Sequence, residues 1–362
     1  MNHIAYKFRL YPNTNQSILM AKTYGCVRFI YNKMLEDKID YYHTHKKMLK
    51  NTPAMYKKEY EWLKEVDSLA LANAQLHLEQ AFHNFFRDPK VGFPKFKSKK
   101  YTHNSYTTNY VNNNIKVTDS HLTLPKMGKI RMKQHRNVSP LHKIKSVTIS
   151  QTASGRYYAS ILCEYHSVSI PKKVTHAIGL DYSMAELYIS SEGDHPNFPK
   201  PYRNALTKLR LEQRRLSKMT QGSNNYMKQK RKIARIHERI AHQRKDFLHK
   251  QSRQITNAYD LVAIEDLNMK ALSRLMHFGK SVSDNGWGMF TTFLSYKLNQ
   301  EGKYFVKVDK WFPSSKTCSS CGTIKQELLL HERTYLCECG TILDRDYNAA
   351  LNIREEGLRL IA

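Results

Sequence analysis

The sequence lacks any apolar run longer than a few residues, far below the roughly 20 that cross a bilayer. Its first residues, Met-Asn-His-Ile-Ala-Tyr-Lys, hold no apolar secretory h-region, so a cytoplasmic chain without a membrane partner is expected. Acidic residues are scarce: 31 Asp plus Glu face 59 Lys plus Arg, a formal net charge of +28. An excess of that sign calls for a polyanionic partner, nucleic acid first, and for a nucleoid-associated location. Cysteine is scarce outside one segment. Of six cysteines, Cys26 and Cys163 stand alone and read as small core residues. The other four crowd into positions 318–339, and a reduced compartment favours metal ligation over a disulfide scaffold. Apolar residues are plentiful enough, at 41% with 11% aromatic, to exclude wholesale disorder. A length of 362 residues suggests two or three domains.

Residues 1–11 alternate, with Ile4, Tyr6, Phe8 and Leu10 on one face, which predicts a half-buried strand. From Thr14 to about Tyr42 the period turns helical, through Ile18, Ala21, Cys26, Phe29, Ile30 and Met34. A second helix is expected from Ser68 to Arg87, stopped by Asp88-Pro89. Short strands punctuated by Asn, Gly and Pro fill 92–166. Together with the N-terminal strand they predict a small β-barrel into which the helices of 14–87 are inserted. After Pro171-Lys172-Lys173 come a strand ending in Asp181 and its hairpin partner Glu186–Ser191. Between Arg203 and Arg253 stand 16 Lys or Arg against 3 acidic residues, in two helices broken at Gly222-Ser223-Asn224. A charge run is usually a solvated face. One of nearly a single sign needs relief, and phosphate supplies it, so Arg214, Arg215, Lys230, Arg231, Arg235 and Arg239 are candidate phosphate contacts. A strand Leu261–Glu265, a helix near 285–302, a strand 304–308 and a closing helix from about Asp346 complete the chain.

Asp181 and Glu265 each close an apolar run that reads as a central strand, and Asp346 opens a helix. In open α/β sheets the reactive crevice lies beyond the strand carboxyl ends. Three carboxylates there need cations, and Mg²⁺ favours oxygen ligands. Two such ions suit phosphodiester hydrolysis. The plainer alternatives are an N-cap for Asp346 and an ordinary strand-end carboxylate for Glu265.

Cys318, Cys321, Cys337 and Cys339 form C-x₂-C-x₁₅-C-x-C, with Gly322 and Gly340 after each pair. That is a zinc-ribbon arrangement for one structural Zn²⁺, since four thiolates leave no open position for water. The second pair is one residue tighter than the usual knuckle, and His331 is a substitute ligand of lower rank.

Several segments together carry a resemblance over nearly the whole chain. They are Tyr6-Lys-Phe-Arg-Leu-Tyr-Pro12, Gly25-Cys-Val-Arg-Phe-Ile-Tyr-Asn32, Phe93-Pro-Lys-Phe-Lys-Ser98, Gln243-Arg-Lys-Asp-Phe-Leu-His249 and Ile264-Glu-Asp-Leu267. Gly286-Trp-Gly288, Ser314-Ser-Lys-Thr-Cys318 and Asp344-Arg-Asp-Tyr-Asn-Ala-Ala350 follow in the same order. The sequence resembles the transposon-encoded TnpB (OrfB) family, relatives of the compact type V CRISPR nucleases. It departs from many relatives in Leu180-Asp-Tyr-Ser-Met184, which lacks a glycine soon after the aspartate, and in its C-x-C pair.

The resemblance implies a multidomain α+β protein. A wedge β-barrel (1–13 and 89–170) would carry an inserted helical recognition domain (14–88). A RuvC-like nuclease of RNase H fold (171–311 and 344–362) would be interrupted by a zinc-ribbon target-nucleic-acid-binding insert (312–343). It places Asp181, Glu265 and Asp346 at the catalytic, Mg²⁺-holding positions, with Asp344 in reserve for the third. The implied activity is RNA-guided cleavage of double-stranded DNA, with a guide RNA from the transposon end and a short adjacent motif read by the protein. Candidate readers of that motif are Asn73, Gln75, Tyr106 and Thr107, since Asn and Gln pair with adenine and a threonine methyl touches thymine. The basic helices would then hold the guide or its heteroduplex. Two other readings stand beside this: a silent RNA-guided or zinc-ribbon repressor, and a transposase joining DNA strands without RNA.

Overall fold

The computed structural model describes residues 2–100, 103–166, 170–275, 279, 284–329 and 331–362. The chain divides into two compact units, Met1–Ser167 and Val168–Ala362.

In the first unit β1 (Asn2–Tyr11) leads into α1 (Thr14–His45). Asn13 starts α1 through a capping box: its Oδ1 accepts from the Gln16 amide at 2.8 Å, and Gln16 Oε1 accepts from the Asn13 amide at 3.1 Å. Then come α2 (Pro53–Tyr56), a 3₁₀ turn Glu61–Glu65 and α3 (Ser68–Arg87). Six strands follow: β2 (Asn104–Asn109), β3 (Lys116–Val117), β4 (His121–Leu124), β5 (Gly128–Lys133), β6 (Lys143–Gln151) and β7 (Tyr157–Tyr165). They pair antiparallel in the order β2-β6-β7-β1-β5-β4-β3, so β1 sits at the centre, as an N-terminal strand completing the sheet should. The expected barrel is a sheet with two edges, β2 and β3; among the described residues no pairing joins them. Tyr6, Phe8 and Leu10 line its buried face, with Ile130, Ile149 and Ile161 beside them.

Of the six residues expected on the inward face of α1, Cys26, Ile30 and Met34 are buried and Phe29 packs half-buried against the same core, whereas the other two turn outward. Ile18 is 52% exposed and Ala21 is exposed, whereas Met20, Tyr24, Val27, Tyr31 and Leu35 are buried. Two tyrosines belong to that face, and a reading by aliphatic spacing alone passes over them.

In the second unit β8 (Ala177–Ser183) and β9 (Leu187–Ser190) form a hairpin. Two long helices follow, α4 (Pro201–Ser217) and α5 (Asn224–Ala258), broken at Gly222. The carboxylate of Asp284 accepts from the Tyr202 and Arg203 amides at 2.9 and 3.2 Å, which anchors the first turn of α4. Buried Glu212 accepts from Gln229 at 2.7 Å and pairs with Lys232 at 2.9 Å, closing α4 against α5. Of the predicted stripe on α5, Ile240 is buried but Ile233, Ile236 and Phe247 are only half-buried. Then come β10 (Leu261–Glu265), α6 (Met269–Leu275), α7 (Trp287–Gln300) and β11 (Tyr304–Val308). A small hairpin, β12 (Thr334–Leu336) and β13 (Ile342–Asp344), precedes the closing helix α8 (Arg345–Arg359).

The main sheet runs β11-β10-β8-β9, with β10 parallel to both β8 and β11. Its parallel strands are covered on both faces, as their continuous apolar runs require. Ile178, Leu180, Val262 and Ile264 pack with α5 and α7, while Leu261, Ala263 and Val308 pack with Ile353 of α8.

Candidate active site and metal centre

Register decides where the carboxylates point. Leu180 pairs with Ile264 across the parallel β8–β10 ladder, so Asp181 and Glu265 are the next residues on neighbouring strands, which run about 4.8 Å apart. Side chains alternate, so Asp181 shares a face with Gly179, and Glu265 shares that same face with Ala263. This is the face that α8 covers. A Cβ on Gly179 would stand 2.1 Å from the Ala350 carbonyl oxygen, and a Cβ on Gly357 would meet Ala263 Cβ at 2.4 Å. The missing side chains let α8 lie directly on the two strands. Asp346, one turn before Ala350, is thereby brought close enough for its charge to act on Asp181, where the parallel β8–β10 pairing ends; β8 itself runs two residues beyond the expected end at Asp181.

The electrostatics carry the same juxtaposition. Burial holds the Asp181 carboxyl well above its ordinary pKa, and the nearby charges of Glu265 and Asp346 push it further up. Burial also raises Glu265, against a lowering contribution from the Ser314 hydroxyl, which donates to Glu265 Oε1. Arg345 donates from Nε and Nη2 to Asp346 Oδ1, each at 3.1 Å, and Arg333 lies 3.6 Å from Oδ2. Asp346 is not the N-cap of α8. That role falls to Asp344, whose Oδ1 accepts from the Asp346 and Tyr347 amides at 2.9 and 3.0 Å. The side chains of Asp181, Glu265 and Asp346 offer hard oxygen donors of the kind Mg²⁺ takes, but their oxygens do not close into one group within 4.8 Å as the cysteine sulfurs do.

Ser314 is a residue that the motif contained but pattern reading left without a role. It is 3% exposed, and its carbonyl accepts from Asn352 Nδ2 at 2.8 Å. Asn352 and Asn348 both donate to the Thr317 carbonyl at 2.7 Å, and Asn348 Oδ1 accepts from the Ser319 amide at 3.0 Å. Two buried asparagines of α8 therefore fasten the loop that links the carboxylate site to the first cysteine pair.

The four cysteine sulfurs lie within 4.8 Å of one another, the one such ligand group among the described residues, and His331 is not part of it. Cys318 and Cys339 Sγ are 3.7 Å apart, and Cys321 and Cys337 Sγ 3.6 Å. A disulfide would need about 2.05 Å. A tetrahedron with metal–sulfur bonds near 2.3 Å has edges of about 3.8 Å. The thiols fit zinc. Burial works against a Cys318 thiolate, but the Cys321 and Ser320 amides and the Thr341 hydroxyl prevail and bring its pKa down to about 6. Each pair turns on a glycine with positive φ, Gly322 at 77° and Gly340 at 90°. The Gly322 amide donates to the Cys318 carbonyl at 2.9 Å and the Gly340 amide to the Cys337 carbonyl at 3.0 Å. The shorter C-x-C pair thus makes the same closure with one residue fewer.

The six candidate phosphate contacts, Arg214, Arg215, Lys230, Arg231, Arg235 and Arg239, are all exposed on α4 and α5. Arg215 also reaches Glu212 at 3.2 Å. The expected motif readers fare differently. Asn73 is 7% exposed and donates back to the Leu69 carbonyl at 2.8 Å, a bond within its own helix. Tyr106 is 3% exposed, with its hydroxyl on Met127 Sδ at 3.7 Å and its ring 5.8 Å from that of Tyr24. Both are core residues, because they sit on the inward faces of α3 and β2. Thr107 Oγ1 meets Thr148 Oγ1 at 2.8 Å, and Gln75 donates to Glu79 at 2.8 Å. Asn73, Tyr106 and Thr107 line one cavity with Arg28, Lys97 and His103; Gln75 is not among its lining residues.

Three family profiles match the chain: a helix-turn-helix domain of the OrfB/IS605 type at 1–47, an OrfB/IS605 "Probable transposase" at 160–276, and the target-nucleic-acid-binding (TNB) domain of the Cas12f1-like type at 287–353. A protein of Streptomyces pristinaespiralis named "Putative RNA-guided DNA endonuclease" is 35% identical, over 98% of this chain and 89% of its own length. One of Escherichia coli K12, "Putative RNA-guided DNA endonuclease InsQ", is 30% identical over 99% and 93%. A Cas12f1 chain solved by cryo-EM in a complex with sgRNA and target DNA aligns over 98% of both chains, with a TM-score of 0.63 at 12% identity, a likeness of fold. With a third or so of its residues shared across almost its full length, and profiles matching both units, the chain belongs to the TnpB (OrfB) family of IS605-type transposable elements.

Proposed function

We propose that the chain is an RNA-guided DNA endonuclease of a transposable element, hydrolysing target DNA at one RuvC-like site beside a short transposon-adjacent motif. The observation that carries this reading is the convergence of Asp181, Glu265 and Asp346 where the parallel pairing of β8 with β10 ends, in a chain of net charge +28. In the proposed layout 1–13 and 89–170 form the wedge and 14–88 the recognition domain. The nuclease comprises 171–311 and 344–362, and 312–343 is the zinc insert.

Asp181, Glu265 and Asp346 would hold two Mg²⁺ ions, which when bound activate water and stabilise the leaving oxygen of a phosphodiester. Asp181 and Glu265 are fixed by strand register, and Asp346 by the close seat of α8 on Gly179. Ser314 holds one Glu265 oxygen, leaving the other for a ligand. Cys318, Cys321, Cys337 and Cys339 would hold one structural Zn²⁺ and stiffen the loop carrying Ser314. The exposed cations of α4 and α5 would follow the phosphates of guide RNA or heteroduplex. Gln75 and Thr107 remain the proposed readers of the adjacent motif, since Asn73 and Tyr106 are packed in the core. Among the described residues no helix is long and apolar enough to cross a membrane; the net charge of +28 is what supports the proposed cytoplasmic, nucleoid-associated location.

The test is to purify the chain from cells carrying its own locus and sequence the RNA that comes with it. A discrete RNA ending in transposon sequence, whose variable segment dictates which DNA is cut, is expected. Cutting or joining of transposon ends by RNA-free protein would replace this reading with a transposase.

A further inference from the structure

Both oxygens of Asp346 are held by arginines. Oδ1 accepts from Arg345 Nε and Nη2, each at 3.1 Å, and Oδ2 lies 3.6 Å from Arg333 Nη1. The Arg345 side chain is 14% exposed, and its Nη1 donates to the Glu332 carbonyl at 3.0 Å. The Arg345 amide donates to the Arg333 carbonyl at 2.7 Å, beside the cross-strand pair Thr334 and Asp344. Both guanidiniums are therefore mounted where the hairpin of β12 and β13 meets α8.

A carboxylate engaged in this way is a poor metal ligand. A Mg²⁺ ion about 2.1 Å from an Asp346 oxygen would stand against two like charges, so the guanidiniums must turn away before the oxygen can serve. The charge of Arg345 also reaches Asp181, where it opposes the upward push of Glu265 and Asp346 on that carboxyl. The cluster of acids is thus partly neutralised by the chain's own cations. This internal neutralisation does not draw the carboxylate oxygens together into one ligand group, as the cysteine sulfurs are drawn.

We propose that Arg345 and Arg333 form a charge clasp on Asp346: they are positioning residues that hold it off the metal site in the free protein and set how tightly the carboxylates take a divalent ion. Arg345 is the stronger arm, being mostly buried and donating through two N–H groups. Arg333, with a side chain 68% exposed, is the weaker arm. Release of both arms completes the set of oxygens around the ion. The inference rests on the carboxylates being the metal site of the proposed nuclease, and adds that this site restrains its own loading.

The experiment titrates Mn²⁺, an oxygen-seeking stand-in for Mg²⁺, into the full zinc-loaded chain free of nucleic acid, and follows unbound Mn²⁺ by electron paramagnetic resonance. Wild type is compared with Arg345→Ala, Arg333→Ala, Arg333→Lys, Asp181→Ala and, as a control for net charge, Lys250→Ala on the exposed side of α5. Arg345→Ala should bind Mn²⁺ roughly tenfold more tightly, the scale of a hydrogen bond to a charged group. Arg333→Ala should bind it roughly threefold more tightly, the scale of an exposed ion pair. Arg333→Lys and Lys250→Ala should stay near wild type. A change that merely loosened the fold would weaken binding, so tightening is a result that a structural role does not give. If Arg345→Ala fails to fold, the exposed Arg333→Ala decides alone. Asp181→Ala must weaken Mn²⁺ binding; if it does not, the carboxylates are not the metal site, and the nuclease reading falls together with the clasp. Weakening by Asp181→Ala with neither arginine variant tighter than wild type overturns the clasp alone. So does tightening by Lys250→Ala as large as that by Arg333→Ala.

Discussion

At the scale of single residues, the site is a balance between carboxylates that repel one another and the groups that hold them. Asp181 has its native pKa raised above the ordinary 3.8 by burial, Glu265 and Asp346. A group raised in this way favours the native state fully below its unfolded pKa, and that contribution is lost as pH climbs through the native value. Because Glu212, Asp260 and Glu356 are held low and act in the opposite sense, the Asp181 contribution is read as a difference: relative to Asp181→Asn, chelator-treated wild type should lose melting temperature as pH rises above about 3.8. Identical slopes for the two proteins would show that the charge cluster is not there. Ser314 acts on the same balance from the other side. Ser314→Ala removes the hydroxyl donated to Glu265 and should slow guided cleavage by roughly tenfold, the scale of a hydrogen bond to a charged group. Guide binding should be unchanged; a rate equal to wild type would leave Ser314 with packing alone. Asp181 and Glu265 were legible in the sequence because each closes an apolar run. Ser314 was not, since its partners lie 49 and 38 positions away. Nor could the motif Asp344-Arg-Asp346 say which aspartate caps the helix, because a cap is defined by backbone geometry.

At the scale of elements, α8 is the hinge of the account. Its seat depends on Gly179, where any Cβ would strike the Ala350 carbonyl and the Arg354 amide. Gly179→Ala must lift α8 from the sheet, destabilising the second unit by about 1–3 kcal/mol and drawing Asp346 away from Asp181. Denaturant unfolding and cleavage should both fall, and an unaltered cleavage rate would contradict the packing described. The first cysteine knuckle braces the same helix, since Asn348 and Asn352 donate to the Thr317 carbonyl beside it. Cys321→Ser should release about one Zn²⁺ per chain and speed hydrogen exchange across 312–343, since metal binding there is local folding free energy. Well-folded wild type with no zinc by metal analysis would refute the centre. Most long elements were readable from period and punctuation, α3 and both basic helices among them. The edges of the seven-stranded sheet were not, because alternation fixes a face and leaves closure to pairing. The inward turn of Asn73 and Tyr106 escaped for a related reason: a polar residue type does not reveal the face it occupies.

At the scale of the molecule, two units share one electrostatic character and divide the chemistry. The second holds the carboxylates, the cysteine cluster and the densest run of cations, while the first offers an open sheet and a helical layer. Charge and cysteine spacing alone indicated a nucleic-acid partner and a zinc site, whereas the guide RNA rests on family membership. The most direct test of the whole account is guided cleavage by Asp181→Ala and Glu265→Ala proteins, loaded with the co-purifying RNA and given a matching DNA target and Mg²⁺. Cleavage should drop by roughly a thousandfold or more in each, as for residues that act as one unit, while guide and target remain bound. Cutting of the guided target by either variant at the wild-type rate would contradict the assignment of the nuclease to this site.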